Sequence, residues 1–519
     1  MLNVDRDAKF FGVKAGMKFL TVVCCAVACS LIACSTEPQT VETEIAVEGE
    51  MESEEAPPQT PETVAEIDDP WLRPGRVAAW TGDLDGMVER GFVRILSVAN
   101  RTHFFVDGAR KRGIVAESAN ALEGMLDKRL GSKDAVKVVV IPVRRDQLLP
   151  MLTGGYGDVA IGNLTVTPDR QEIVDFSPPF VRDVRELVVV GPGVEPIETP
   201  QDLSGLAVWV RRSSSYYASL QSLNERFVAE GREPIELRAA DENLEDEGLL
   251  EMVNAGLYKA TVVDSHKLDW LWGKVFDKVT VTDVALREKG EIAAAIRKDS
   301  PQLQALLTDF YRENRVGTAF GNTIVNRYFR NSRWIHNPAA TEERQRFDAV
   351  VDLFKKYSEQ YDFDYLMMVA QGYQESRLDQ NARSRVGAIG IMQLMPATAA
   401  GSPVFIPDVS TAEANIHAGV KYMRYLMDHY FADPEIDEVD RYLLAFAAYN
   451  AGPNRIARLR ALAPEYGLDP NQWFKNVQYV VASKVSQEPV RYVGNIYKYY
   501  LAYRRLREIE RERALATRG

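Results

Sequence analysis

The residue whose position most suggests chemistry is Glu375, at the end of an apolar helical run in the segment QGYQESRLDQNARSRVGAIGIMQLMPATA, residues 371–399. Burying a carboxyl group among apolar neighbours disfavours its charged form and raises its pKa. Tyr373, Val369 and the AIGIM segment can supply such neighbours. A carboxyl group of this kind can hold a proton near neutral pH and transfer it. A glutamate at a helix end is more often simply solvated, so a catalytic role for Glu375 depends on the other motifs of the sequence.

The histidines and cysteines show no pattern of metal ligands. The five histidines are scattered without the spacing of a metal site: His103, His266, His336, His417 and His429. All four cysteines lie within the first 34 residues, which leaves no thiolate site or disulfide framework in the rest of the chain. We therefore predict that the protein has no metal and no cofactor.

Residues 1–34 have the pattern of an export signal: a charged segment precedes an apolar stretch from Phe19 to Ala33, which is too short for a permanent membrane helix. The stretch ends in LIAC, and this ending resembles a bacterial lipobox. The resemblance implies that Cys34 is lipidated and that, with Ser35 behind it, the protein is anchored in the outer membrane at its periplasmic face. The alternative is a simple signal peptide with a chance cysteine.

Residues 35–75 have the composition of a disordered tether. Between Ser35 and Asp69 there are twelve acidic residues and no Lys or Arg, interspersed with Pro and Thr. Twelve negative charges equal the whole net charge of −12, so the remaining chain balances to about zero. A basic surface for nucleic acid is therefore not predicted.

Residues 76–333 form the first predicted folded module. Short β-rich runs such as FVRILSVAN and AVKVVVIPV alternate with helical patterns, which predicts βαβ units and a mostly parallel sheet covered by helices. The segment LLPMLTGGYGDVAIGNLTVTPDRQEIVDFSPPF, residues 148–180, resembles the family 3 extracellular solute-binding proteins, which are amino-acid-type periplasmic receptors. The resemblance implies a two-lobed, periplasmic-binding-protein-like α/β domain.

The same resemblance implies a ligand site. In this family the arginine of the threonine-rich turn, here Arg170, pairs with a ligand carboxylate, because its planar fork matches the two oxygens. Further implied ligand contacts are Asn163, Thr165, Ser213, Ser214 and Asp264. The serines would begin a helix whose N–H groups meet an anion, and Asp264 would hold an amino group. The implied ligand is a muropeptide or an amino-acid-like molecule.

Plainer interpretations of this site stay open. Arg170 could pair with the neighbouring Asp169 or Glu172, and Asp264 could cap a helix that begins at Ser265.

A composition shift at RWIHNPAATEERQRF predicts a linker at residues 334–345, followed by an all-α module at 346–510 and a charged tail at 511–519. Four ordered motifs of the helical module resemble the lysozyme-like fold of the soluble-lytic-transglycosylase family. They are QES at 374–376, GAIGIMQLMPATA at 387–399, AAYNAGPNRI at 447–456 and EPVRYVGNIYKYY at 488–500.

This second resemblance implies cleavage of the β-1,4 bond between MurNAc and GlcNAc in peptidoglycan glycan strands. Glu375 would first donate a proton to the leaving oxygen and then deprotonate the C6 hydroxyl, which leaves a 1,6-anhydromuramoyl end without using water. Ordinary glycosidases need a second carboxylate, whereas this family has none. Asp379 is therefore interpreted as a turn residue. The implied cleft residues are Ser376, Met392, Gln393, Tyr449, Asn450 and Tyr492.

Other interpretations of the second module also stay open. Tyr449 and Asn450 could be a packing tyrosine and a helix C-cap. The module could use water as a muramidase does, or it could bind the wall without turnover as part of a sensor.

Overall fold

The computed structural model describes residues 79–517, except residues 101, 108–109, 134, 270–275 and 330–340. The predicted signal segment 1–34 with Cys34, the predicted tether 35–75 and most of the predicted linker lie outside the described residues. Among the residues that are described, no helix combines the length and the apolar character needed to cross a membrane.

The first module is built on a sheet that has nine strands in the described part of the chain, in the order β4-β1-β5-β11-β7-β10-β8-β9, with β6 paired to β11. Strands β2 and β3 form a separate hairpin. The strands are β1 Phe92–Val98, β2 Phe105–Asp107, β3 Arg110–Arg112, β4 Lys137–Val143, β5 Val159–Thr165, β6 Asp175–Phe176, β7 Val181–Val190, β8 Ala207–Val210, β9 Glu236–Ala239, β10 Ala260–Asp264 and β11 Thr280–Ile296.

The expectation of a mostly parallel sheet is wrong, because the sheet is mixed. Strands β4, β1 and β5 are parallel to one another, and so are β10, β8 and β9. The long strands β7 and β11 pair antiparallel with each other and with β10 and β5, respectively. These two strands carry the chain between the halves of the sheet without a helical crossover, so the βαβ rule holds only within each half.

The two halves of the sheet form two lobes, here called the first lobe (β1, β4, β5 and β6) and the second lobe (β8, β9 and β10). Six of the seven residues in each of β1 and β4 are buried, as expected for strands covered on both faces. The covering helices are Leu84–Glu89, Ile114–Leu130, Leu148–Thr153, Pro168–Ile173, Ser215–Ala229, Asp246–Asn254, Ser265–Lys267, Pro301–Asn314 and Ala319–Phe329, with 3-10 turns at Arg145–Gln147 and Pro200–Leu203.

The second module is helical and has no β-strand among its described residues 341–517. Its helices are Thr341–Gln360, Tyr365–Ser376, Pro396–Ala400, Ala412–Tyr430, Glu438–Ala451, Pro453–Leu462, Gln478–Lys484 and Gln487–Ala516, with shorter turns at Ala463–Tyr466 and Trp473–Val477. The fold class expected from the sequence, a two-lobed α/β module followed by an all-α module, is thus confirmed. The last helix, here called the C-terminal helix, runs through position 511, where a separate tail was predicted.

The second module contacts both lobes of the first. Leu501 and Leu506 of the C-terminal helix lie in one buried cluster with Leu249 of the second lobe. Tyr479 lies in a buried cluster with strand residues of the first lobe. The Tyr497 hydroxyl donates a hydrogen bond of 2.8 Å to Asp241. The helix that closes the second module therefore also forms much of its boundary with the first.

Candidate active site

Glu375 lies in the last turn of the helix Tyr365–Ser376. The side chain of Asp364 accepts the Leu366 N–H at 2.9 Å and caps the start of this helix. The helix ends at Arg377, whose φ of 56° is left-handed, as is common at a helix C-terminus. The residues from Leu366 to Tyr373 are buried and anchor the helix in the core. Glu375 is therefore placed by a helix anchored in the core, two residues beyond the buried stretch.

The surroundings of Glu375 favour a protonated carboxyl group. Its side chain is only partly exposed, and the Tyr492 hydroxyl donates a hydrogen bond of 2.5 Å to its Oε1. Burial raises the pKa of Glu375 to about 7, against the hydrogen bond from Tyr492, which lowers it. A carboxyl group with this pKa can both donate and accept a proton near neutral pH.

Tyr492 reaches Glu375 from the C-terminal helix and is itself buried, with 5% of its surface exposed. Burial, and then the nearby charge of Glu375, raise the pKa of Tyr492 well above its usual value, so the phenol remains a hydrogen-bond donor. The Gln371 Nε2 donates to the Tyr492 hydroxyl at 3.4 Å. The sequence analysis missed Gln371, although its position four residues before Glu375 places both on one helix face.

Tyr449 fixes the loop that follows the Glu375 helix. It lies near the end of the helix Glu438–Ala451, and its hydroxyl donates to the Met392 carbonyl oxygen at 2.8 Å. Burial, and then the charge of Glu375, raise the pKa of Tyr449 well above its usual value. The ring of Tyr422 packs at 5.4 Å from it. Tyr449 thus lies close to Glu375 and holds the backbone beside it.

The expectation that the Met392 side chain lines the cleft is wrong. This side chain is fully buried, and it packs so closely that a Cβ at Gly419 would lie 2.6 Å from its Cγ. The contribution of Met392 to the site is its backbone: its carbonyl accepts from Tyr449, and its N–H donates to Asn415 Oδ1 at 2.8 Å. An unbranched apolar side chain next to a glycine fills a core gap here, which the motif alone did not reveal.

Ser376 also acts on the backbone. Its hydroxyl donates to the Ile391 carbonyl at 2.9 Å and accepts from the Asp379 N–H at 3.1 Å. Ser376 therefore ties the end of the Glu375 helix to the following loop. The Asp379 side chain accepts from Asn381 N–H at 2.9 Å, which is a turn contact.

Gln393 and Asn450 are the predicted cleft residues with the most open surroundings. Gln393 is partly exposed and its Nε2 donates to the Gly390 carbonyl at 2.8 Å, while Asn450 is exposed at the end of its helix. Their roles toward a substrate remain predictions.

Asn415 and Gln380 hold the glycine-rich loop in place, and the sequence analysis missed both. Asn415 is fully buried, and its Nδ2 donates to the Ile389 carbonyl at 2.9 Å. Gln380 donates to the Val409 carbonyl at 3.1 Å. Gly390 has a φ of 76°, and a Cβ there would lie 2.6 Å from Asn415, so only glycine fits.

The predicted ligand residues of the first module meet between the two lobes. Asn163 Nδ2 donates to Asp264 at 2.6 Å, and His266 Nε2 lies 3.0 Å from the Asn163 amide oxygen. Asp264 is 1% exposed and lies 3.3 Å from the Lys267 ammonium. Its side chain makes no cap hydrogen bond to the short helix Ser265–Lys267. These groups therefore pair with one another across the lobes.

Arg170, Thr165 and the serines complete this arrangement. Arg170 donates to the Thr165 carbonyl at 2.8 Å and to the Ser213 carbonyl at 3.5 Å, and neither Asp169 nor Glu172 is its partner in these contacts. Burial lowers the pKa of Arg170. The Thr165 hydroxyl lies 3.2 Å from that of Ser215.

The two predicted serines differ in their contacts. The Ser213 hydroxyl donates to Glu242 at 2.6 Å, a partner that the sequence analysis missed. Ser214 is the N-cap of the helix Ser215–Ala229, and its side chain accepts from the Tyr217 N–H. In the described part of the chain, no three His, Cys, Asp or Glu side chains converge as metal ligands.

Comparison with known families assigns both modules. Residues 104–331 match the bacterial extracellular solute-binding proteins, family 3, and residues 352–469 match the transglycosylase SLT domain. The chain thus combines a family 3 solute-binding module with a transglycosylase SLT domain, in the order predicted from the sequence.

Curated relatives share most of this chain. It is 28% identical over 430 residues to the membrane-bound lytic murein transglycosylase F of Desulfosudis oleivorans, covering 79% of this chain and 90% of that protein. It is 26% identical over 469 residues to the membrane-bound lytic murein transglycosylase F 1 of Alkalilimnicola ehrlichii, covering 82% and 86%. A solved substrate binding protein of an amino acid ABC transporter is 20% identical, with a TM-score of 0.37, and the match covers 46% of this chain and 99% of that one.

Proposed function

We propose that this protein is a peptidoglycan lytic transglycosylase in which Glu375 is the catalytic residue. The observation that carries the proposal is a half-buried carboxyl group with a pKa of about 7, which lies within the residues matched to the transglycosylase SLT domain and accepts a hydrogen bond from the neutral phenol of Tyr492. Burial and Tyr492 are the two causes of this pKa, and no neighbouring carboxylate among the described residues contributes to it. The names of the curated relatives support the same reaction class.

In the first step, protonated Glu375 gives its proton to the glycosidic oxygen between MurNAc and GlcNAc. The bond from this oxygen to the MurNAc C1 breaks, and the GlcNAc leaves with a free hydroxyl group. The carbonyl oxygen of the 2-acetamido group of MurNAc bonds to C1 at the same time, so the substrate supplies its own nucleophile. Glu375 is then a carboxylate, which the Tyr492 hydroxyl stabilises.

In the second step, the C6 hydroxyl of the same MurNAc attacks C1, and the bond from C1 to the acetamido oxygen breaks. Glu375 accepts the C6 hydroxyl proton and returns to its starting state. The product is a 1,6-anhydromuramoyl end, and no water is consumed. A pKa of about 7 suits both steps, because the same group must be an effective acid and then an effective base.

The other residues position these groups. Tyr492 holds the carboxyl group of Glu375, and Tyr449 and Ser376 fix the loop beside it through backbone contacts. Gln393 and Asn450, with their more open side chains, are proposed to contact the sugar.

Product analysis tests the reaction. Purified sacculi are digested with the detergent-solubilised full-length protein, and the released fragments are analysed by mass spectrometry. Anhydromuramoyl ends are expected. Reducing ends formed with incorporation of oxygen from labelled water would mean a water-using muramidase, and no release would mean a binding protein without turnover; both outcomes contradict the proposal.

We further propose that the first module binds a small amino-acid-like or wall-derived ligand between its lobes, at Asn163, Thr165, Arg170, Ser213, Ser214 and Asp264. The support is the meeting of these residues across the lobes and the match to the family 3 solute-binding proteins. Calorimetry with muropeptide stem peptides tests this, since Arg170→Ala should abolish the binding seen with the unchanged protein.

We also propose that the protein is anchored to the outer membrane through a lipid on Cys34, facing the periplasm. The relatives are named membrane-bound, which supports an association with a membrane. Acyl chains contribute about 0.8 kcal/mol per buried CH₂, so Cys34→Ala should release the protein into the soluble fraction. Retention of that variant in salt-washed membranes would contradict the anchor.

A further inference from the structure

A cavity of about 240 Å³ lies at the boundary between the two modules. Asn100 of the first lobe and Asn243 of the second lobe border it on one side, and Lys475 and Asn495 of the second module border it on the other. None of the six residues predicted to hold the interlobe ligand lines this cavity. It is therefore a separate space that exists only because the modules are packed together.

Six charged side chains line the cavity: Glu245, Glu247, Glu251, Lys475, Arg491 and Lys498. Two of the acids have partners, since Glu245 pairs with Arg145 at 2.7 Å and Glu251 pairs with Lys498 at 2.6 Å. Among the described residues, Glu247, Lys475 and Arg491 form no such pair. One carboxyl group and two cations thus line the cavity without an ion-pair partner among the described residues.

The backbone at Lys475 is unusual. Lys475 lies within the irregular turn Trp473–Val477 and has a φ of +65°, a backbone conformation that residues other than glycine rarely adopt. The turn is anchored by Trp473, which is fully buried and whose backbone N–H donates to Asp440 Oδ1 at 2.7 Å. The surrounding structure therefore holds a lysine in a strained conformation at the wall of a cavity, a feature typical of binding sites.

The charged residues that line the cavity indicate which charges a ligand should carry. Burial lowers the pKa of Lys475, and Glu245 only partly opposes this, so an anion beside the ammonium would stabilise it. Burial, and then the charge of Glu245, raise the pKa of Glu247 to about 7, so a cation beside the carboxyl group would stabilise its charged form. Arg491 is exposed at the rim and can pair with a second anionic group.

We propose that the intermodule cavity is a binding site for a small amino dicarboxylate, with one carboxylate at Lys475, the other at Arg491 and the ammonium at Glu247. The site does not depend on the proposed glycan reaction. Arg491 precedes Tyr492 on the C-terminal helix, so an occupant would contact the helix that carries the hydrogen-bond partner of Glu375.

Calorimetry of the detergent-solubilised full-length protein with L-glutamate tests the proposal. Lys475→Gln should weaken binding by about tenfold or more, because a charge-assisted hydrogen bond is lost. Glu247→Gln should weaken glutamate binding but leave binding of glutarate, which lacks the ammonium group, unchanged. Lys289→Gln is the matched control, since Lys289 also has a positive φ, of 53°, but is exposed on β11.

Two results would overturn the site. One is the absence of glutamate binding up to about 10 mM. The other is binding that Arg170→Ala abolishes and Lys475→Gln leaves intact, since this would place glutamate between the lobes. The unfolding midpoint of each variant is compared with that of the unchanged protein. If Lys475→Gln does not fold, Arg491→Gln replaces it, because that side chain is exposed, and unchanged glutamate affinity in that variant would equally overturn the proposal.

Discussion

The second lobe of the first module and the Glu375 site both bury carboxyl groups, but they surround them with different partners. Asp246 of the second lobe pairs with Arg211 and Lys267. Burial alone would raise the pKa of Asp246, but these cations outweigh burial and hold it far below its usual value. Glu375 has a neutral phenol instead of a cation, so burial prevails and its pKa rises to about 7.

This difference shows that the partner, and not burial by itself, decides what a buried acid can do. A carboxylate locked between cations is a permanent charge that holds structural elements together. A carboxyl group with a neutral donor keeps a proton that it can transfer. The two regions should therefore respond in opposite ways when their acids are replaced by amides.

Glu375→Gln should give the largest change in activity. The substitution keeps the shape of the side chain but removes the transferable proton, and general acid–base roles contribute about 10² to 10⁴-fold in rate. The rate of glycan release from sacculi is measured, with Glu359→Gln, an exposed glutamate on the helix Thr341–Gln360, as the control. A Glu375→Gln variant with more than about a tenth of the original rate would contradict the assignment.

The same substitution should raise the free energy of unfolding, although it lowers activity. The pKa of Glu375 is higher in the folded protein, at about 7, than the ordinary value of 4.5 expected after unfolding. Between these values the folded state binds more protons, so the free energy of unfolding falls as the pH rises from 4.5 to 7. Glu375→Gln removes this penalty. Its unfolding temperature should match that of the unchanged protein near pH 4 and exceed it near pH 8.

Asp246→Asn should lower the free energy of unfolding of the first module by about 3 to 5 kcal/mol, because it leaves Arg211 and Lys267 buried without a countercharge. Denaturant unfolding measures this effect. The control is Asp283→Asn, whose side chain is fully exposed and lies 3.9 Å from Arg185, and a surface change should stay within about 0.5 kcal/mol. Equal effects of the two substitutions would show that the Asp246 cluster is not a structural ion pair.

Tyr492→Phe should shift the pH dependence of the reaction. The Tyr492 hydrogen bond lowers the pKa of Glu375, so its loss should raise that pKa and move the decline of activity at high pH upward by about one pH unit. A full pH profile of kcat/KM is needed, because a purely structural role would lower activity without moving the profile. An unmoved profile would separate Tyr492 from the protonation of Glu375.

The sequence predicted the architecture well where chemistry and pattern coincide. The alternation of strands and helices indicated the α/β module, and the apolar run before Glu375 indicated a buried carboxyl group at a helix end. It failed where one residue type serves two purposes: Met392 lies in a sugar-cleft motif, yet its side chain fills the core beside Gly419. Contacts over a long sequence separation were also beyond reach, as with Asn415, which holds the Met392 N–H from a helix 23 residues away.

Gln371→Leu should give the smallest change in activity. It tests how much Glu375 depends on the residue that donates to its neutral partner, Tyr492. Gln371 is fully buried, its Nε2 donates to Tyr492 through a long hydrogen bond of 3.4 Å, and its Oε1 has no partner among the described atoms. Leucine removes the donor together with the unsatisfied oxygen. A neutral hydrogen bond contributes about 0.5 to 1.5 kcal/mol, so kcat should fall by roughly twofold to tenfold.

The free energy of unfolding of Gln371→Leu should stay the same or rise, since a buried acceptor without a partner is costly and leucine has none. The Gln371→Glu variant provides the opposite control, because a second buried acid beside Tyr492 should lower both activity and stability. Loss of stability in Gln371→Leu, with activity unchanged, would mean that Gln371 serves the core. The reverse result would mean that the second module keeps a poorly satisfied amide in its core because the amide orients the phenol that holds Glu375.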